Sequence, residues 1–158
     1  MKVALLTVST SKAAGEGDDE GSAALAQFAE GLGAEIAERE VIPDDQAQIE
    51  ERLKDLTDEG CDLILTTGGT GMAPSDVTPE ATRAVIDREA PGIPEAIRAA
   101  SREHTKHWML SRAVAGIRGQ TLIVNFPGSP KSIAEAGAAI ADALPHALAL
   151  IAGRDTRH

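Results

Sequence analysis

Short apolar runs alternating with stretches of helical periodicity constrain this chain more than any other feature. Lys2–Val8 (KVALLTV), Asp62–Thr67 (DLILTT) and Gln120–Asn125 (QTLIVN) are dominated by apolar and β-branched residues. Such runs suit strands buried on both faces, as in a parallel sheet, rather than strands with one wet face. Ala34–Ile42 reads as a further strand, anchored by Ile36 and the Val41-Ile42 pair. Between them, Leu25, Phe28, Ala29 and Leu32 follow one helix face and stop at Gly33. Ile49, Leu53 and Leu56 mark a second helix ending near Gly60. Helices are predicted from Thr78 to about Arg88 and from Ile93 to about His104, separated by Pro91-Gly92. Ile133, Ala136, Ile140, Leu144, Leu148 and Ile151 continue helical spacing to the end, with a kink or break expected at Pro145. Residues 105–119 carry no clear pattern. Strands alternating with helices imply right-handed crossovers, so the expected fold is α/β: a three-layer αβα sandwich around a mainly parallel sheet. The 158 residues suit one domain, 1–158, with no repeat, linker or low-complexity tract.

Composition narrows the function classes. Apolar residues at 42% and charged residues at 25% are those of an ordinary globular domain, and no run approaches the roughly 20 residues that span a bilayer. A net charge of −10 with no basic patch opposes nucleic acid and anionic membranes as partners. A phosphate-bearing small molecule would then need backbone amides, a few placed cations or a metal ion. Cys61 is the sole cysteine, which excludes an intrachain disulfide, and it reads as a small core residue. The first apolar run is too short for a signal peptide, so a cytoplasmic setting is expected. Two Phe, one Trp and no Tyr leave few stacking platforms.

In open α/β sheets, ligands bind beyond the carboxyl ends of the strands. Four polar clusters follow predicted strands: Ser9-Thr10-Ser11, Pro43-Asp44-Asp45, Thr67 through Asp76, and Asn125 through Ser132. Gly68-Gly69-Thr70-Gly71 is the strongest of them. Its glycines permit positive φ and close approach to a ligand, and its amides suit an oxyanion; the alternative is a tight strand-to-helix turn. No Gly-Lys-Ser/Thr follows, so it is not a P-loop. Thr78 is the expected N-cap, with Pro79 at the first helical position, which leaves Asp76 outside the helix. A carboxylate beside an anion-binding loop calls for a bridging cation, and Mg²⁺ is the economical one; a solvated acidic residue is the other reading. Asp44 and Asp45 pose the same choice: one caps the helix carrying Ile49, or Asp44 joins Asp76 in holding the metal. Lys131 opposes the dipole of the helix it begins, which suits an anionic ligand or else marks a surface lysine. Ser111-Arg112 offers either a substrate contact or an internal ion pair. His104 and His107 lack a metal-ligating partner in the sequence and read as exposed, and no Gly-x-Ser-x-Gly pattern points to covalent catalysis.

With these motifs in order, nearly the whole chain resembles the molybdenum-cofactor biosynthesis family, in its MogA/MoaB branch of molybdopterin adenylyltransferases. The blocks that carry the resemblance are Ile42-Pro43-Asp44-Asp45-Gln46-Ala47, Thr66-Thr67-Gly68-Gly69-Thr70-Gly71, Asp76-Val77-Thr78-Pro79-Glu80-Ala81-Thr82, Leu110-Ser111-Arg112 and Asn125-Phe126-Pro127-Gly128-Ser129-Pro130-Lys131-Ser132. The resemblance implies a three-layer subunit, usually a homotrimer, in which the terminal phosphate of molybdopterin attacks the α-phosphate of Mg-ATP. Asp44 and Asp76 match the family's functional aspartates, for catalysis and metal handling. Ser9, Gly68, Gly69, Thr70, Gly71, Ser111, Arg112, Asn125, Pro127, Gly128, Ser129, Lys131 and Ser132 match its substrate-binding segments. A downstream metal-insertion enzyme is the implied partner. The chain departs from the family at Ser9-Thr10-Ser11, where Ser-Asp-Arg is common, while Gly15, Asp19 and Gly21 keep the pattern. That departure keeps a catalytically silent molybdopterin-binding paralogue as the alternative reading.

Overall fold

The computed structural model describes residues 1–154, so the last four residues of the expected 1–158 domain lie outside the described residues. Its strands are β1 (Lys2–Val8), β2 (Glu35–Ile42), β3 (Leu63–Thr67), β4 (Arg88–Glu89), β5 (Ala115–Arg118) and β6 (Thr121–Phe126). Its helices are α1 (Thr10–Ala13), α2 (Glu20–Gly31), α3 (Gln46–Asp58), α4 (Thr78–Val85), α5 (Gly92–Ser101), α6 (Pro130–Ile140) and α7 (Leu144–Ile151). The strands form one sheet in the order β2-β1-β3-β6-β5-β4.

Alternation within the strands creates the three layers. Val3, Leu5, Leu63, Leu65, Leu122 and Val124 pack with apolar residues of α2, α5, α6 and α7. The intervening Ala4, Leu6, Ile64 and Ile123 pack with Ile49, Leu53 and Leu56 of α3 and with Ala81 and Val85 of α4. Both faces are therefore dry, which is why β1, β3 and β6 carry almost unbroken apolar runs. The expected αβα sandwich is what forms. Four strands, β2, β1, β3 and β6, run parallel, and β5 and β4 continue the sheet by antiparallel pairing. Cys61 lies in the second core, where burial pushes its thiol above the ordinary pKa and keeps it neutral.

Several element boundaries differ from the periodicity. The α4 helix ends at Val85 because Ile86 turns extended (ψ 146°) and Arg88–Glu89 pairs with β5. Residues 105–119 contain a 3-10 turn, Trp108–Leu110, and then β5, which folds back on β6. The α1 turn adds an element to the polar stretch after β1; Ser9 caps it by accepting from the Lys12 amide. Pro145 sits in the first turn of α7, where a missing N–H is tolerated, and α6 and α7 meet at a 64° bend. Among the described residues no single helix is long and apolar enough to cross a membrane.

Register fixes the functional edge. Val8 pairs with Ile42, Thr7 with Thr67, and Thr67 with Phe126, so the parallel strands finish almost level. The loops that begin at Ser9, Pro43, Gly68 and Pro127 must then emerge side by side. The chain leaves β1 and β3 toward opposite sides of the sheet, and the gap between them is the topological switch point where such folds open a crevice.

Candidate active site

The glycine loop is wedged against the end of β1. Gly68 has φ +92°, and a Cβ there would lie 2.4 Å from the Val8 carbonyl oxygen. Gly69 has φ +67°, and a Cβ there would lie 2.4 Å from Thr78 Oγ1 and 3.2 Å from Asp44 Oδ1. A Cβ at Gly68 would run into backbone, whereas at Gly69 the neighbours are side-chain atoms; both positions carry the positive φ that favours glycine. The loop is also pinned from below: Thr67 Oγ1 donates to the Pro127 carbonyl at 2.6 Å, which ties it to the segment after β6. Gly128 lies against it, since a Cβ on Gly128 would be 4.0 Å from the Gly68 Cα.

Asp44 and Asp45 divide the roles that the sequence leaves open. Asp45 caps α3, accepting from the Gln48 amide at 3.0 Å. Asp44 instead faces the β1 loop: its Oδ2 accepts from both the amide and the hydroxyl of Thr10, each at 3.0 Å. Thr10 Oγ1 accepts from the Asp44 amide in return, at 3.1 Å. The other carboxylate oxygen, Oδ1, is the one beside Gly69. Thr10 is a residue that motif reading misses, because it stands there only as a departure from the family pattern. In the fold it orients Asp44.

Asp76 lies outside α4, as expected, and its Oδ2 accepts from the Ala73 amide at 3.0 Å. The predicted cap does not form. Val77 occupies the cap position without a side-chain bond, and Thr78 is the first helical residue. Its hydroxyl donates to the Gly68 carbonyl at 3.0 Å and its amide to the Gly69 carbonyl at 3.1 Å. Thr78 thus serves the glycine loop in place of its own helix, a use that local sequence cannot reveal.

Two expected ligand contacts are engaged by partners within the protein. Asn125 is fully buried: its amide donates to Thr66 Oγ1 and Thr82 Oγ1, both at 3.0 Å, and its Oδ1 accepts from the Val114 amide at 3.1 Å. It ties β6, β3, α4 and the approach to β5 together, and its side chain does not reach the crevice. Arg112 donates to the carbonyls of Gly71 and Asp76 and to both carboxylate oxygens of Glu80, so the internal ion pair is present. The Glu80 hydrogen bond raises the guanidinium pKa further. The Ser111 carbonyl accepts from Arg98, and its hydroxyl accepts a long bond from the Ala113 amide. Ser9, Gly68, Gly69, Gly71 and Pro127-Gly128 gather at the strand ends, and Thr70 is nearly buried behind them. Ser129 caps α6 by accepting from the Ser132 amide at 3.2 Å. The Lys131 side chain is 81% exposed and makes a long ion pair with Glu135 at 3.9 Å.

A partly enclosed cavity of about 660 Å³ lies elsewhere, lined by Glu95, Arg98, Arg102 and Trp108. Arg102 stacks over the Trp108 ring at 5.8 Å, so the only Trp of the chain already has a cationic partner. The strand ends differ in kind: glycine backbone at Gly68, Gly69 and Gly71 lies beside the carboxylates of Asp44 and Asp76.

The model of the probable molybdopterin-binding domain matches residues 4–146. The chain belongs to this molybdopterin-binding family. Among its relatives, the molybdopterin adenylyltransferase of Haemophilus influenzae is 42% identical over 168 aligned positions, covering 97% of this chain and 85% of that protein. The molybdopterin adenylyltransferase of Escherichia coli K12 is 44% identical, covering 90% and 75%. The crystal structure of the molybdopterin biosynthesis enzyme MoaB from Thermus thermophilus superimposes with a TM-score of 0.91 at 46% identity, covering 99% of both chains. The family match takes in the glycine loop, both aspartates and the segment after β6.

The inward role of Asn125 carries a stability prediction. Asn125→Ala should lower unfolding free energy by about 3 kcal/mol, because it strands the Val114 amide and removes the partner of two buried hydroxyls. Urea denaturation followed by circular dichroism measures it. An unchanged midpoint would return Asn125 to the ligand contacts.

Proposed function

We propose that this chain transfers the adenylyl group of ATP to molybdopterin, giving adenylylated molybdopterin and pyrophosphate in molybdenum-cofactor biosynthesis. The observation that carries the reading is a glycine loop flanked by two carboxylates: an Asp44 oxygen lies 3.2 Å from where a Gly69 Cβ would stand, and an Asp76 oxygen 2.8 Å from where a Gly71 Cβ would stand. An oxygen of the pterin's terminal phosphate forms a bond to the α-phosphorus of ATP. The bond from that phosphorus to the bridging oxygen breaks, and pyrophosphate leaves with its electron pair. Such a transfer asks for alignment and charge stabilisation rather than a protein nucleophile. Backbone amides of the Gly68–Gly71 and Pro127–Ser132 segments supply the donors for phosphate oxygens.

Among the described residues no three His, Cys, Asp or Glu side chains come together as a metal cluster. Mg²⁺ characteristically takes one or two carboxylates and completes its shell with phosphate oxygens and water, so two aspartates would suffice for an ion carried in with the nucleotide. Asp44 Oδ1 and the Asp76 carboxylate are the groups that would hold it, and when bound it would neutralise developing phosphate charge. The acidity of the chain is then no obstacle to a polyphosphate substrate. The proposed setting is the cytoplasm, the proposed assembly a homotrimer, and the proposed recipient of the product a metal-insertion enzyme.

Incubation with purified molybdopterin, ATP and Mg²⁺ should yield adenylylated pterin and one equivalent of pyrophosphate, and EDTA should abolish both. Tight pterin binding with no pyrophosphate released would overturn the transferase reading in favour of a silent binding paralogue. Nothing in the crevice favours that paralogue, because Thr10 keeps Asp44 oriented despite the departure at residues 10 and 11. Light scattering checks the assembly: a mass three times the 16.4 kDa chain is expected.

A further inference from the structure

Beyond Asp76 the chain is fixed, with Val77 on the second core and Thr78 bonded to the Gly68 and Gly69 carbonyls, but among the described residues 72–75 make no hydrogen bond outside their own turn. Met72, Ala73, Pro74 and Ser75 are all exposed, and Met72 is 68% exposed. Within the loop, the Asp76 amide donates to the Ala73 carbonyl at 2.9 Å and the Ala73 amide donates to the Asp76 carboxylate. These bonds shape the turn and do nothing to hold it in place on the protein.

Arg112 supplies that hold. Its backbone amide donates to the Thr70 carbonyl at 2.9 Å. Its Nε donates to the Gly71 carbonyl at 2.7 Å and one Nη to the Asp76 carbonyl at 2.7 Å. One side chain therefore grips both ends of the 71–76 loop. Glu80, on the first turn of α4, holds the other Nη with both carboxylate oxygens at 3.0 and 2.8 Å. The planar fork of arginine makes these three directions available at once, which a lysine cannot do.

We propose that Arg112 and Glu80 are a positioning pair that fixes Asp76 for adenylyl transfer, and that neither is a substrate ligand. The inference deepens the proposed reaction and rests on it through Asp76. It also explains why a half-exposed ion pair, of little value for stability, sits beside the site. Displacing a reacting group by about 1 Å can cost on the order of 100-fold in rate, so a loosened loop should act on turnover.

The test compares Arg112→Ala, Arg112→Lys, Glu80→Gln and the double swap Glu80→Arg with Arg112→Glu. Arg112→Ala should lower kcat about 50-fold while KM for molybdopterin and for ATP stays within about twofold. Arg112→Lys should recover part of the loss, and Glu80→Gln, which keeps an acceptor, should lose about fivefold. The double swap restores opposite charges but gives residue 112 no donor for the two carbonyls. It should remain as slow as Arg112→Ala; recovery of kcat in the swap would overturn the proposal, as would a loss confined to KM. Hydrogen exchange at the amides of residues 72–76 should speed up in Arg112→Ala with the sheet unchanged, and unaltered exchange there would also overturn it. Asp76→Asn is measured alongside. Full turnover in that variant, with faster exchange in Arg112→Ala, would place the failure in the assigned role of Asp76 and not in the clamp.

Discussion

Asp44→Asn and Asp76→Asn should each reduce the rate of adenylyl transfer by about 100-fold or more while leaving the fold intact. The substitutions are nearly isosteric, and the hydrogen bonds each aspartate accepts can be kept by the amide oxygen. In Asp44→Asn that oxygen could still accept from the Thr10 amide and hydroxyl, and in Asp76→Asn from the Ala73 amide. Only the negative charge is removed. Stability should consequently move by less than about 1 kcal/mol, within the range of exposed substitutions. The charge is what a Mg²⁺-bound nucleotide would need, so raising Mg²⁺ should recover part of the lost rate if the carboxylates act through the ion. Initial rates of pyrophosphate release at saturating molybdopterin and ATP measure the effect, with urea midpoints recorded on the same preparations. Full turnover in both variants would remove the two aspartates from the mechanism.

Thr10 gives these experiments an internal control. Thr10→Val removes the hydroxyl that both donates to Asp44 Oδ2 and accepts from the Asp44 amide, but it keeps the β-branched shape and the Thr10 amide bond. Its loss should be smaller, about tenfold in kcat, because Asp44 retains its charge and one of its two donors. A loss as large as that of Asp44→Asn would mean that the hydroxyl itself contacts the substrate.

The layers of the fold are legible in the sequence because burial on both faces leaves a strong trace: β1, β3 and β6 have no room for polar alternation. β2 is legible for a different reason, since the edge strand keeps Ile36 and Ile42 inward among exposed Glu and Arg. Residues 105–119 are not legible, because what orders them is remote. Arg98 on α5 donates to the Ala113 carbonyl, the Asn125 side chain receives the Val114 amide, and β5 forms by pairing with β6 on one side and β4 on the other. The position of the site follows from the level ends of four parallel strands. Its inventory does not follow as well. Arg112 and Asn125 are residue types suited to binding phosphate and polar edges, and nothing in the local sequence reveals that Glu80, Thr66 and Thr82 have already engaged them. Motif spacing shows which residues gather at an edge; only the partners show which ones face outward.

Gly68→Ala should be the most disruptive single-methyl change in the chain, lowering stability by about 3 kcal/mol or more. Two terms add. A non-glycine residue held at φ +92° is strained by about 1–3 kcal/mol, and the new Cβ meets a backbone oxygen, that of Val8, at 2.4 Å. That oxygen belongs to a central strand and cannot move without disturbing the ladder to β2 and β3. Gly15→Ala separates the terms, because Gly15 has a similar φ of +82° with nothing within 4 Å of the added Cβ, so it should show the strain alone. A domain of this size is stable by only about 5–15 kcal/mol, so the Gly68 variant should express poorly or unfold at a visibly lower urea concentration. Gly69→Ala should behave differently. Its Cβ meets Thr78 Oγ1, a side-chain atom that can rotate away at the expense of its bond to Gly68, and it crowds Asp44 Oδ1 at 3.2 Å. The larger effect there should fall on turnover. If Gly68→Ala were instead as stable as Gly15→Ala, the loop would not be wedged against β1, and the crevice between β1 and β3 would lose its rigid floor.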